Sequence, residues 1–394
     1  MIPLIVAKGT DPSAETELID ALHAHTSRVL DSASGGDRAI VREVESVVRA
    51  DPAGTISFDG RAKATVRALG REWAAGRFEI PMLWGLKSRA AEAPDDGPTR
   101  LFALFGERPS TDIGALQAFA EPGTVFQVAS QFNCLESPGP YVTPVANYLH
   151  DPTQGPRASI SAFPGTLVRH YAAPSTDGRR FTQTSDGAQI DLLSDVCTPD
   201  VARVRNGYLR EAYIVDPEAL AEALEHRFDA VRVGVHDEVE VALGFNWDGA
   251  VEGPRRVAQV FTSTLAAGLY GRLSDAHSPL AAVCRHLLRA AYLGTLLATR
   301  ALGHRTAVLT LIGGGVFGNP VELIWDSIVW ACDEVKRIAP GALDVVVNGR
   351  NLGESIETST LAEACHARGG VAVELSRARV AIHRGAPSTS PDPL

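Results

Sequence analysis

Nowhere in the 394 residues do the roughly 18 to 20 uninterrupted apolar side chains of a membrane-crossing helix occur. The opening Met1-Ile2-Pro3-Leu4-Ile5-Val6-Ala7-Lys8 is too short for a secretion signal, so a cytoplasmic protein without a membrane partner is expected. Cysteine is scarce. Cys134, Cys197, Cys284, Cys332 and Cys365 are odd in number and far apart, with no C-x-x-C pair, which excludes a disulfide framework and a zinc site and suits buried thiols in a reducing compartment. Positive charge is in deficit: 37 Lys and Arg face 47 Asp and Glu, for a net charge of -10. That sign excludes bulk nucleic-acid binding. No G-x-x-x-x-G-K-[ST] loop, no H-E-x-x-H and no G-x-S-x-G elbow occurs, which removes Walker-type nucleotide binding, zinc protease chemistry and serine hydrolysis. His150, His170, His236 and His286 have no metal-ligand spacing, so no metal or cofactor is expected. There is no internal repeat.

What remains is an ordinary globular composition: 45% hydrophobic and 21% charged, with 36 Gly and 24 Pro. Apolar residues recurring at three and four over 16–48, broken at 34–37, predict two helices, and 62–75 is read as a third. Residues 1–98, ending in Ala93-Pro94-Asp95-Asp96-Gly97-Pro98, are therefore expected to be a mostly helical N-terminal extension. After it come short strand-like runs at 101–105, 125–129, 231–235, 239–243, 257–262, 307–311 and 343–347, with strong helices at 281–302 and 321–336. The alternation predicts an α/β domain over 99–384 with helices on both faces of the sheet. The Ser-Thr-Ser-Pro-Asp-Pro tail, 385–394, is expected to be disordered.

The most specific local signal is Ala307-Val308-Leu309-Thr310-Leu311-Ile312 running into Gly313-Gly314-Gly315-Val316-Phe317-Gly318-Asn319-Pro320 and then a helix. Strand, glycine loop and helix make a cradle for a phosphate or diphosphate, because the glycines admit close approach and the helix start offers free N–H groups. Pro320 suits the first helical position. Gly313, Gly315 and Gly318 also satisfy G-x-G-x-x-G, but one convincing strand follows, Leu343-Asp344-Val345-Val346-Val347, and it ends in Asn348-Gly349 rather than in an acid. A dehydrogenase is disfavoured on that ground.

A late strand entering Gly-Gly-Gly-Val-Phe-Gly-Asn resembles the terminal phosphate loop of the macrodomain superfamily, including its poly(ADP-ribose) glycohydrolase branch. Phe126-Gln127-Val128-Ala129-Ser130-Gln131-Phe132-Asn133-Cys134-Leu135-Glu136 resembles the earlier strand and its asparagine-bearing loop. The resemblance implies a three-layer α/β/α macrodomain-like mixed sheet, with Asn133 holding ribose hydroxyls, Gln131 beside it as a further ligand-binding residue, and Gly313, Gly314, Gly315, Val316, Phe317, Gly318 and Asn319 at the diphosphate. The chain departs from the branch after Asn133, where the Gly-Gly-Gly and Gln-Glu-Glu signature is replaced by Ser137-Pro138-Gly139-Pro140. The catalytic group is therefore sought among its own residues.

Cleavage of a ribosyl bond passes through an oxocarbenium-like state that calls for a carboxylic acid or carboxylate. Glu136, three residues after Asn133, is the first candidate, and Asp151 the second, with a turn role open for it. Gln154 and Gly155, entering a helix near Pro156, form a second ligand-contacting loop. Tyr208 and Phe317 are readable either as stacking on a base or as core. The expected function is binding of ADP-ribose or a related nucleotide-diphosphate-ribose with hydrolysis of an ADP-ribosyl bond. A non-catalytic ADP-ribose-binding module and an enzyme acting on free NAD or an NAD-derived small molecule stand as alternatives.

Overall fold

The structure is a computed structural model that describes residues 1–107, 109, 111–175, 177–267, 278–376 and 379–385. The expected disordered tail lies outside the described residues from position 386 on. In chain order the strands are β1 (Ile56–Phe58), β2 (Lys63–Ala68), β3 (Arg71–Glu79), β4 (Thr99–Gly106), β5 (Thr124–Ala129), β6 (Ala173–Pro174), β7 (Arg180–Phe181), β8 (Gly234–Glu240), β9 (Arg256–Thr262), β10 (Thr306–Thr310), β11 (Leu343–Asn348), β12 (Ala372–Leu375) and β13 (Val380–His383). Eleven of them form one sheet in the order β1-β2-β3-β8-β9-β5-β10-β11-β4-β12-β13, and β6 pairs with β7 apart from it. From β9 to β12 neighbours run parallel, while antiparallel strands extend both edges. Parallel strands are covered on both faces and so read as apolar runs. Val125, Phe126 and Val128 of β5 and Val345, Val346 and Val347 of β11 are all buried.

The helices are α1 (Ile2–Lys8), α2 (Glu15–Asp31), α3 (Ala39–Ala50), α4 (Pro52–Thr55), α5 (Leu83–Ala91), α6 (Ile113–Ala118), α7 (Gln154–Ser161), α8 (Phe163–Tyr171), α9 (Pro217–His226), α10 (Pro279–Ala301), α11 (Val321–Ile338), α12 (Leu352–Ser355) and α13 (Thr358–His366). They cover the mixed sheet in two groups. In one, α10 packs on α5, α9 and α11; in the other, α7 packs on α6 and α8, and α3 packs on α8. By length and composition α10 meets the criterion for crossing a membrane, but 72% of its most apolar window is buried inside the protein. Ser278 caps it by accepting the Ala281 amide.

Three sequence expectations are corrected. Residues 62–75 form a hairpin rather than a helix. Burial alternates along β2, with Ala64, Val66 and Ala68 inward, and Leu69 (φ 54°) and Gly70 (φ 71°) make the left-handed two-residue turn that joins it to β3. The first 98 residues thus carry helices and three strands, and β3 pairs with β8 of the main sheet. The runs 231–235 and 239–243 are served by one strand, β8, whose register shifts between His236 and Val239, where Glu238 takes φ 57°. Finally, three strands follow the glycine loop. The short β12 and β13 were hidden by their four-residue length and by the Gly369-Gly370 turn before them.

Candidate functional site

A cleft opens beyond the carboxyl ends of the neighbouring parallel strands β5 and β10, the place where such sheets bind ligands. The space within it, open mouth included, is about 790 Å³. One wall is the chain leaving β5 and the start of α7. The other is the glycine loop leaving β10, with Tyr208 between them.

In that loop Gly313 (φ 72°) and Gly318 (φ 64°) are left-handed. A Cβ on Gly313 would lie 2.0 Å from Asn319 Nδ2, so glycine is required there. The turn is closed by the Asn319 amide donating to the Gly313 carbonyl (2.9 Å) and the Gly318 amide to Gly315 (2.9 Å). The Tyr292 hydroxyl, from α10, donates to the Thr310 carbonyl (2.9 Å) and accepts the Ile312 amide (3.0 Å), which fixes the strand-to-loop junction. The N–H groups of Gly315, Val316 and Phe317 donate to no acceptor among the described residues. Successive free amides of this kind suit an anion. Gly314, Gly318 and Asn319 shape the turn from behind and do not line the cleft. Asn319 is buried, and its side-chain amide has no hydrogen-bond partner among the described residues. Pro320 caps α11 rather than opening it.

Glu136 and Asp151 both line the cleft. The Glu136 side chain is 3% exposed. Its Oε1 accepts from Ser159 Oγ at 3.4 Å, and its backbone N–H donates to the Tyr148 hydroxyl at 3.1 Å. Burial pushes its carboxyl well above the usual carboxylate range. The Asp151 charge adds to this, while the Arg169 guanidinium and the Ser159 hydroxyl hold it back. Asp151 Oδ1 accepts the Thr153 amide at 3.0 Å, so it also serves as the turn residue before α7. Burial pushes the nearby Cys134 thiol up to about 12, which leaves it a poor nucleophile.

The other expected residues divide. Gln131 lines the cleft, yet its amide clasps Ser137, accepting its N–H at 2.9 Å and donating to its carbonyl at 3.0 Å. Gln154 donates to the Gln127 carbonyl and accepts the Ala129 amide, tying α7 to the end of β5. Gly155 sits so close to β5 that a Cβ would meet the Ala129 carbonyl at 2.0 Å and Glu136 Oε2 at 2.4 Å. Asn133 is corrected: it is fully buried behind the wall, donates to Gln189 Oε1 (3.0 Å) and accepts the Leu135 amide (3.1 Å). Its side chain bonds within the loop and does not line the cleft. Tyr208 donates to the Ser137 carbonyl (2.7 Å) and sets its ring 5.8 Å from that of Phe317, so the two aromatics face the cleft together.

Sequence reasoning missed Ser159 and Arg169. The signal was present: Arg169 lies in Phe163–Tyr171, whose residues are all buried, and a cation in so apolar a stretch needs a reason. Among the described residues no three or more His, Cys, Asp or Glu gather as a metal site.

No family model matches the chain, and no curated protein matches it. Its structure is similar to solved poly(ADP-ribose) glycohydrolases of the branch that the two motifs resemble. One from Thermomonospora curvata is 15% identical, with 79% of this chain and 92% of that chain covered and a TM-score of 0.39. The same protein bound to the inhibitor ADP-HPD gives 15%, 79% and 91%, with a TM-score of 0.40. One from Deinococcus radiodurans in complex with ADP-ribose is 14% identical, with 72% and 90% covered and a TM-score of 0.38.

Proposed function

We propose that the cleft binds ADP-ribose or a related nucleotide-diphosphate-ribose and that the protein hydrolyses an ADP-ribosyl glycosidic bond. The reading rests on one juxtaposition: a buried carboxyl held toward its protonated form, Glu136, shares a cleft with the free amides of Gly315, Val316 and Phe317. The amides take the diphosphate, and Tyr208 and Phe317 offer ring faces for a base or sugar. Glu136 gives its proton to the leaving atom as the bond to the anomeric carbon breaks. Water then adds to that carbon and loses its proton to the Asp151 carboxylate. The five cysteines, none disulfide-bonded, support a reducing cytoplasmic setting. A free dinucleotide such as NAD carries the same diphosphate and ribose and is the second ligand to try.

The test is calorimetric titration with ADP-ribose, NAD and AMP, followed by turnover of an ADP-ribosylated peptide. A Cβ on Gly315 meets nothing within 4 Å, so Gly315→Glu leaves the fold intact and sets a carboxylate against the diphosphate. Wild type is expected to bind ADP-ribose, and the variant at least tenfold more weakly. Binding without turnover would make the protein a reader. No binding of any of the three would refute the proposal.

A further inference from the structure

Arg169 is fully buried, and its hydrogen-bond partners among the described residues are neutral. Its Nε donates to the Cys134 carbonyl (3.2 Å), one terminal nitrogen to His236 Nδ1 (3.2 Å), and the other to Ser159 Oγ (3.3 Å) and Thr166 Oγ1 (2.9 Å). The face of Phe261 lies 3.6 Å from the guanidinium carbon. Because arginine only donates, Nδ1 of His236 must accept, which puts the imidazole proton on Nε2, donated to the Ala75 carbonyl at 2.6 Å. His236 is thereby held neutral. A buried cation without an ion-pair partner is costly, so its placement calls for an anion that forms nearby.

One carboxyl is in reach through a single hydroxyl. Ser159 Oγ accepts from Arg169, so its own proton is free to go to Glu136 Oε1. The same guanidinium holds the carbonyl of Cys134, the left-handed residue (φ 60°) at which the chain turns from Asn133 toward Glu136.

We propose that Arg169 is the positioning residue of Glu136. Through the Ser159 hydroxyl and the Cys134 carbonyl it sets where that carboxyl sits, and it is the counter-charge when the carboxyl becomes an anion. The proposal rests on the acid role given to Glu136 above. When Glu136 passes its proton to the leaving atom, negative charge appears one hydroxyl away from a guanidinium that is already in place. Arg169 itself neither gains nor loses a proton. The groups facing Glu136 divide accordingly. Arg169 from α8 and Ser159 from α7 favour the anion, while burial and Asp151 favour the acid. The Tyr148 hydroxyl accepts the Glu136 backbone N–H.

The test reads the carboxyl directly, without substrate. In protein labelled with carbon-13 at the glutamate carboxyls, the Glu136 signal is the one missing from Glu136→Gln, and its titration midpoint is followed by NMR. Arg169→Met is expected to raise the midpoint by at least one pH unit, a tenfold change in proton affinity. Ser159→Ala should raise it less, and Arg169→Lys, which keeps the charge but loses the fork, should fall between wild type and Arg169→Met. The acid limb of the kcat profile should move with the midpoint while KM stays constant. If Arg169→Met fails to fold, Ser159→Ala decides. An unchanged midpoint in the folded variants overturns the proposal, as does a lysine variant that shifts as far as methionine. A responsive midpoint in a protein without ADP-ribosyl turnover would refute the hydrolase reading alone, so the two failures are distinguishable.

Discussion

At the scale of single residues, the cleft depends on two kinds of position. Glu136 is the acid of the proposed reaction, and Glu136→Gln removes that acid while keeping shape. The expected result is a fall in kcat of about 10²- to 10⁴-fold with ADP-ribose affinity little changed, read by turnover and calorimetry on one preparation. Gly155 carries space. Gly155→Ala would put a methyl 2.0 Å from the Ala129 carbonyl and 2.4 Å from Glu136 Oε2. It is therefore expected to cost turnover as heavily as the loss of the acid and to lower Tm, whereas an active, stable Gly155→Ala would show that α7 can shift. Both carboxyls were legible as lining candidates, Glu136 from the loop that leaves the apolar β5 and Asp151 from the turn that enters α7. Asn133 was not. A side chain spent inside its own turn, beside a left-handed Cys134, has the same sequence neighbourhood as one offered to a ligand.

Elements were legible where one period ruled. The buried parallel strands β5, β10 and β11 and the long helices α10 and α11 read directly from apolar runs and the 3.6 period. The β2–β3 hairpin did not, because Ala64, Val66 and Ala68 at spacing two sit among residues that also fit a helix, and the deciding turn is Leu69-Gly70 rather than Asn-Gly. The glycine loop was read as a phosphate cradle, but its anchor in another element was invisible. Tyr292 joins Thr310 and Ile312 from α10. Tyr292→Phe removes both bonds, and since the Ile312 amide also donates to the Thr310 carbonyl (3.0 Å), the expected loss is near the lower end of about 1–3 kcal/mol. Denaturant unfolding should show it, together with weaker ADP-ribose binding. Unaltered binding would mean that the loop holds its shape unaided.

Over the whole molecule, burial sets the pH response. Burial drives the folded pKa of His25 down to about 3 and lowers those of His170 and His236, the last well below its ordinary value. Unfolded histidine binds its proton near 6.5, so each contributes stability that is present above that pH and lost as the pH falls through the window below it. The slope is up to about 1.4 kcal/mol per pH unit for each. Glu136 acts oppositely: its folded carboxyl is raised, so its contribution is present below the ordinary glutamate range and lost as the pH rises. His286 and the Met1 amine are lowered by burial in the same sense as the three histidines, and the Asp191 carboxyl is raised like Glu136. The lowered bases outnumber the raised acids, so urea midpoints are expected to fall between pH 7 and pH 5, and a flat or rising series would contradict neutral buried histidines. The walls of the cleft come from segments around 129–156 and 310–317, and they meet because Thr124 of β5 lies in register with Thr306 of β10. Closing so long a stretch of chain makes assembly slow. A nascent chain emerging from the ribosome therefore holds Glu136 on a single wall, and the cleft does not exist until the glycine loop past Gly318 has emerged and β10 has found its place.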